Sequence, residues 1–120
     1  MSDEDIKREF FEHRDKLNEI VMKYAGLEMK KFFSLDNRVY RDGALPARFK
    51  ELLGLCASIV LRCEDCIKYH TIRCEQENVS DAEFEETLSV ALIVGGSITI
   101  PHIRKCLKLW DEMKVKNERI

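Results

Sequence analysis

Proline and glycine are scarce in this sequence, with two prolines and five glycines in 120 residues. That is too little turn punctuation for a chain of many short strands, so a β-sandwich or barrel is disfavoured and long helices are expected. An excess of positive charge is also missing. Lys and Arg number 20 against 22 Asp and Glu, a formal charge of -2, which gives no electrostatic reason to expect binding to a phosphate backbone. Nucleic acid is therefore not an expected partner. Long apolar runs are absent too. The uncharged stretch from Leu88 to Ile103 is interrupted by Gly95, Gly96, Pro101 and His102 and falls short of the ~20 apolar residues that span a bilayer, so no membrane partner is expected. The opening Met1-Ser2-Asp3-Glu4-Asp5 is acidic where an export signal would be basic and then apolar. A cytoplasmic location is the expectation.

What the chain does have is 45% hydrophobic and 35% charged residues, enough for one domain of solvated helices and too little for two. Ser2 with Asp5 forms a candidate helix start. Ile6, Phe10, His13, Leu17, Ile20 and Tyr24 then recur at helical spacing as far as Gly26. Residues 27–45 are less regular: Met29, Phe32 and Phe33 suggest a short helix, and Leu35-Asp36-Asn37 and Arg41-Asp42-Gly43 read as turns. Pro46 suits the first turn of a helix running to about Leu61. Ser80-Asp81-Ala82-Glu83 is a capping box that starts another. That helix becomes apolar nearly all round from Leu88 to Val94, more than a 120-residue monomer readily covers, so a homo-oligomer is expected. Gly95-Gly96 should end it. After Pro101, the residues Ile103, Cys106, Leu107, Trp110 and Met113 outline a last amphipathic helix.

The chemistry centres on Cys63-Glu64-Asp65-Cys66. Five cysteines, an odd number in a chain expected to be cytosolic, argue against a disulfide framework and for redox chemistry or metal binding. At about 100° per residue, Cys63, Cys66, His70 and Cys74 fall within an arc of roughly 80° on one helix face. A dithiol needs that proximity, because one thiolate attacks an oxidant and the second must reach the resulting sulfur. His70 can serve as the base. Glu51 is the candidate carboxylate to orient it, but along one straight helix the two would lie about 28 Å apart. The chain must therefore turn near Leu61 to Cys63, which puts Cys63 at a new helix N-terminus, where dipole and free N–H groups favour a thiolate by roughly 0.3 to 1 kcal/mol. Arg62 adds to this, while Glu64 and Asp65 oppose it. Proximity to His70 favours Cys66 as the attacking thiol, and the helix terminus favours Cys63. Cys63, Cys66, His70 and Cys74 also resemble four zinc ligands, but on a helix the first and last would be about 16 Å apart along the axis and no Gly lets the chain wrap an ion. No metal and no cofactor are expected.

The run ELLGLCASIVLRCEDCIKYH, Glu51 to His70, resembles the Glu-x11-Cys-x2-Cys-x3-His signature of the alkylhydroperoxidase D-like (AhpD-like) branch of the carboxymuconolactone decarboxylase family. More loosely the likeness covers residues 45–116, leaving residues 1–44 as a helical extension of a single domain over residues 1–120. The resemblance implies an all-α helical bundle assembled as trimers or hexamers. It implies a peroxidase whose disulfide is reopened by a thioredoxin-like or lipoyl-bearing reductant. By the same resemblance Glu51 and His70 form a proton relay, Cys66 attacks the hydroperoxide and Cys63 resolves the product. The decarboxylases that name the family lack the Cys-x-x-Cys, so lactone decarboxylation is not implied. Departures are the extra Cys74 and a chain shorter than the two-repeat enzyme that names the branch.

Outside the motif, Cys56 and Cys106 lie on apolar faces and read as core. Cys74 reads more as packing than as a third redox thiol, and His13 as a packed or interface histidine. His102 has no partner that sequence can name. Two other readings remain: a reductase of protein or small-molecule disulfides, and a non-catalytic helical assembly that keeps the motif.

Overall fold

In a computed structural model the backbone is described for residues 2–118 and the side chains for residues 2–114. Among the described residues the chain is all-α. It groups into two compact units, Met1–Arg41 and Asp42–Ile120.

The first unit holds α1 (Asp3–Tyr24) and α2 (Leu27–Val39). The capping box at the start of α1 is formed: the Asp5 N–H donates to Ser2 Oγ at 3.1 Å and the Ser2 N–H to Asp5 Oδ2 at 3.4 Å. His13, expected to be packed or at an interface, is exposed within the chain. The turn expected at Leu35-Asp36-Asn37 is not there, since these residues lie inside α2. Asp and Asn cost only a few tenths of a kcal/mol each in a helix interior, and Phe32, Leu35 and Val39 continue a stripe at helical spacing. That stripe is open, with Phe32 68% exposed.

The second turn signal does break the chain. Residues 40–45 bend without helix, and Asp42 Oδ1 accepts the Ala47 N–H at 2.7 Å. Asp42 thus satisfies a first-turn donor of α3 (Ala47–Leu61), whose N-cap Pro46 offers no side-chain acceptor. The α3 helix ends at Arg62, in the left-handed conformation with φ 59°. There the Cys63 N–H donates to Ser58 O and the Arg62 N–H to Ile59 O, both at 3.0 Å, the paired closing bonds of a Schellman motif. The chain reverses and α4 (Glu64–Gln76) begins with Cys63 as its N-cap. Next comes α5 (Asp81–Gly95), opened by the Ser80–Glu83 capping box. Gly96, at φ 81° and ψ -175°, takes a conformation essentially reserved for glycine. One 3-10 turn (Ser97–Thr99) leads into α6 (Ile100–Glu118).

Within this unit α3 packs against both α4 and α5, and α6 against α4. Leu55 and Ile59 of α3, Ile67 and Ile72 of α4, and Phe84 of α5 are almost fully buried at the centre. Phe84 and Trp110 stack with centroids 4.0 Å apart, and Trp110 Nε1 donates to Asp81 Oδ1 at 2.8 Å. This sandwich of α3 and α4 is what fixes the candidate site. Among the described residues no helix is long and apolar enough to cross a membrane.

Candidate active site

The reversal at Arg62 does what one straight helix could not. It lays the second turn of α3 beside the second turn of α4, and His70 Nδ1 lies 2.8 Å from Glu51 Oε1. Both side chains are buried, Glu51 at 1% and His70 at 8% exposure. With Glu51 as a carboxylate, Nδ1–H is the donor, which leaves Nε2 as the ring nitrogen not engaged by Glu51. An isolated buried carboxylate would be costly. Here the second oxygen, Oε2, lies 3.5 Å from Arg73 Nε. The guanidinium is itself steered by Gln76 and Glu77, with Nη1 donating to Gln76 Oε1 at 2.7 Å and Nη2 to Glu77 Oε2 at 3.4 Å.

Gly54, one turn after Glu51 on α3, makes room for the ring. A Cβ at that position would lie 2.6 Å from His70 Cε1, 2.8 Å from Nε2 and 2.9 Å from Nδ1. The imidazole thus lies directly over the α3 backbone, where any larger residue would meet it. Ser58 Oγ donates to Gly54 O at 2.6 Å and occupies the carbonyl of that open position.

One and two turns before His70 the thiols approach the surface. Cys63 is half-buried at the N-cap and Cys66 exposed at N3, and all five cysteines are thiols. An N-cap and an N3 residue project over the same first turn, where N–H groups without helical partners and the positive end of the dipole favour an anion. Glu64, expected to oppose a thiolate, is engaged from α6: its Oε1 contacts His102 Nδ1 and lies 3.8 Å from Lys105 Nζ.

The remaining cysteines are set apart. Cys74 is fully buried, and that burial, with the Glu51 charge acting the same way, pushes its thiol far above the usual range. Cys106 is buried as well and pushed up to about 11, chiefly by burial. Thr71 Oγ1 donates to Ile67 O at 2.7 Å, so the Cys106 S–H is the donor in its 3.3 Å contact with that hydroxyl. Cys56, expected in the core, is only half-buried, and desolvation raises its thiol. A four-ligand set from Cys63 to Cys74 is not assembled, because Cys74 points into the core while Cys66 faces solvent.

The structure therefore brings Glu51 and His70 into contact and places Cys63 and Cys66 on the first turn of the same helix. Sequence reading missed Gly54, Arg73 and the pair Glu64–His102. A glycine three residues after Glu51 and an arginine three after His70 were readable signals. His102 lies 38 residues from Glu64, and nothing local announces that contact.

A sequence model of the carboxymuconolactone decarboxylase family matches residues 9–109. Two crystal structures of a Thermotoga maritima protein superpose with TM-scores of 0.89 and 0.87, at 49% and 50% identity, covering 94% and 92% of this chain and 99% and 94% of theirs. For that protein, of the same family, involvement in an antioxidative response has been suggested. A family member from Legionella pneumophila, in its apo form, superposes with a TM-score of 0.66 at 26% identity, over 91% of this chain and 90% of its own. An uncharacterised protein encoded in the cox locus of Paracoccus denitrificans is 29% identical over 82 residues, 68% of this chain and 74% of that protein.

Proposed function

Because the chain belongs to the carboxymuconolactone decarboxylase family, we propose that it is a thiol-dependent oxidoreductase of the AhpD-like kind, reducing hydroperoxides through Cys63 and Cys66. The observation that carries this reading is the buried Glu51–His70 hydrogen bond set one helical turn behind an exposed cysteine. A buried carboxylate and imidazole with no proton to manage would be an expensive way to pack two helices.

In the proposed reaction His70 Nε2 takes the Cys66 proton, and Glu51 stabilises the imidazolium through Nδ1–H. The Cys66 thiolate attacks the terminal oxygen of the hydroperoxide. An S–O bond forms, the O–O bond breaks, and the alkoxide leaves with the proton held by His70. The Cys63 thiol then attacks the sulfenic sulfur. An S–S bond forms, the S–O bond breaks, and water leaves with the Cys63 proton. The dithiol loses two electrons and the hydroperoxide becomes an alcohol and water. A thioredoxin-like or lipoyl-bearing dithiol reopens the disulfide. The exposure of Cys66 suits attack by such a partner as well as by peroxide, so reduction of other disulfides is the second reading. Self-association and a cytoplasmic setting belong to the same proposal.

Trapping of the sulfenic acid tests the roles. The Cys63→Ser protein should accumulate sulfenic acid at Cys66 on treatment with a hydroperoxide, and the Cys66→Ser protein should not form one at Cys63 at the wild-type rate. Equal rates at both positions overturn the assignment. Fast exchange with disulfides and slow peroxide consumption favour the second reading.

A further inference from the structure

Glu64 sits between the two cysteines at the first position of α4, where its carboxylate would oppose a thiolate on either side. The structure gives that carboxylate two partners, both from the first turns of α6. His102 Nδ1 contacts Oε1, and Lys105 Nζ lies 3.8 Å from the same oxygen. His102 is 20% exposed and Glu64 36%, so the contact is partly shielded from solvent and bridges two elements that pack together. Other charged or titratable groups here include Cys106, one residue beyond Lys105, whose thiol the Glu64 charge helps to raise, Arg62 and Asp65, chain neighbours of the two cysteines, and Lys68, four residues after Glu64 on α4. From α3, Glu51 contacts His70, one turn beyond Cys66 on α4.

We propose that His102, with Lys105, is a positioning residue for the dithiol: it holds the Glu64 carboxylate and, when protonated, joins Lys105 in offsetting its charge, so that the α4 N-terminus presents Cys63 and Cys66 with a net environment that tolerates a thiolate. This role deepens the thiol-oxidoreductase reading and rests on it for its significance. Its physics, however, is the ionisation of two thiols and can be measured with no peroxide present. The site thereby has two carboxylate–histidine pairs, one behind the cysteines on α3 and α4 and one beside them joining α4 to α6, of which only the first exchanges protons with a thiol.

The test is the pH profile of alkylation of Cys63 and Cys66 by iodoacetamide in the reduced full chain, resolved by mass mapping. The proteins compared are wild type, His102→Gln, Glu64→Gln and the double variant. Gln at position 102 keeps a hydrogen-bonding side chain but cannot carry charge. The His102→Gln profile should move to higher pH, with a rate at pH 7 about two- to fivefold below wild type, the effect of one partly exposed charge left unbalanced. Glu64→Gln should not slow the reaction, and adding it to His102→Gln should restore the wild-type profile. A His102→Gln profile identical to wild type overturns the proposal, as does a double variant as slow as His102→Gln alone, which would show packing rather than charge. The shifted His102→Gln profile and its restoration in the double variant, found in a chain whose wild type turns over no peroxide, would instead count against the enzymatic reading and leave this role standing.

Discussion

At the scale of single residues the site depends on an absence of atoms. Gly54 has no Cβ, and one placed there would stand 2.6 to 2.9 Å from three atoms of the His70 ring. Gly54→Ala should therefore push the imidazole off Glu51. We expect loss of turnover together with a stability cost of about 1–3 kcal/mol from overpacking, even though alanine is the better helix former. Urea denaturation and thiol alkylation rates on the same protein check both halves, and unchanged alkylation would show that the ring had simply accommodated. The cysteines should sort by environment under the same reagent at pH 8. Cys63 and Cys66 should label first and Cys56 more slowly, whereas buried Cys74 and Cys106 should label only on unfolding. The Cys106 thiol titrates near 11 when folded and near about 8.5 when unfolded. Its contribution to stability is therefore fully present below about pH 8.5 and lost as pH rises through about 11. The urea midpoint should fall across that window, and fall less steeply in Cys106→Ala.

At the scale of elements, two backbone positions end helices in opposite ways. Arg62 closes α3 at φ 59° and Gly96 closes α5 at φ 81°, ψ -175°. The first conformation is open to any residue at moderate cost, and the second is open in practice only to glycine. Arg62→Gly should thus raise stability by about 0.5–1 kcal/mol, and Gly96→Ala should lower it by about 1–3 kcal/mol. Equal signs in urea denaturation would contradict this account of the two termini. The same elements show what could be read beforehand. Ser2–Asp5 and Ser80–Glu83 were legible because a capping box is a local bargain between residues three apart. The break before Cys63 was legible from chemistry, since Glu51 cannot meet His70 along one helix. Leu35-Asp36-Asn37 misled because turn-forming side chains cost little inside a helix whose flanking residues favour it. The Glu64–His102 contact was invisible because it depends on how α6 lies against α4.

At the scale of the whole molecule, apolar surface remains uncovered. Ile93 is 85% exposed, Val94 68% and Val90 57% on the outer side of α5, whose inner side is already packed on α3. A contiguous patch of this kind is a typical subunit contact. Light scattering on the eluting protein should give a mass of more than one chain, and Ile93→Glu should reduce it. A wild-type protein that elutes as a monomer would set the expectation of an oligomer aside. The bundle otherwise divides its labour plainly. The central residues Leu55, Ile59 and Phe84 hold α3, α4 and α5 at fixed spacing, and that spacing sets the 2.8 Å contact between Glu51 and His70. The site is then the place where the α3–α4 reversal exposes a helix start above a buried acid–base pair.

The central claim is that this acid–base pair serves the two cysteines. Its most direct test is a single turnover: fully reduced protein mixed with one equivalent of a hydroperoxide, quenched at intervals with an alkylating agent, and mapped by mass. The account predicts one new disulfide, Cys63 to Cys66, with Cys56, Cys74 and Cys106 still thiols. It also predicts formation at least about tenfold slower in Glu51→Gln, the loss expected when a general base is no longer oriented. Thiols left free at both positions, or a Glu51→Gln protein oxidised at the wild-type rate, would contradict it.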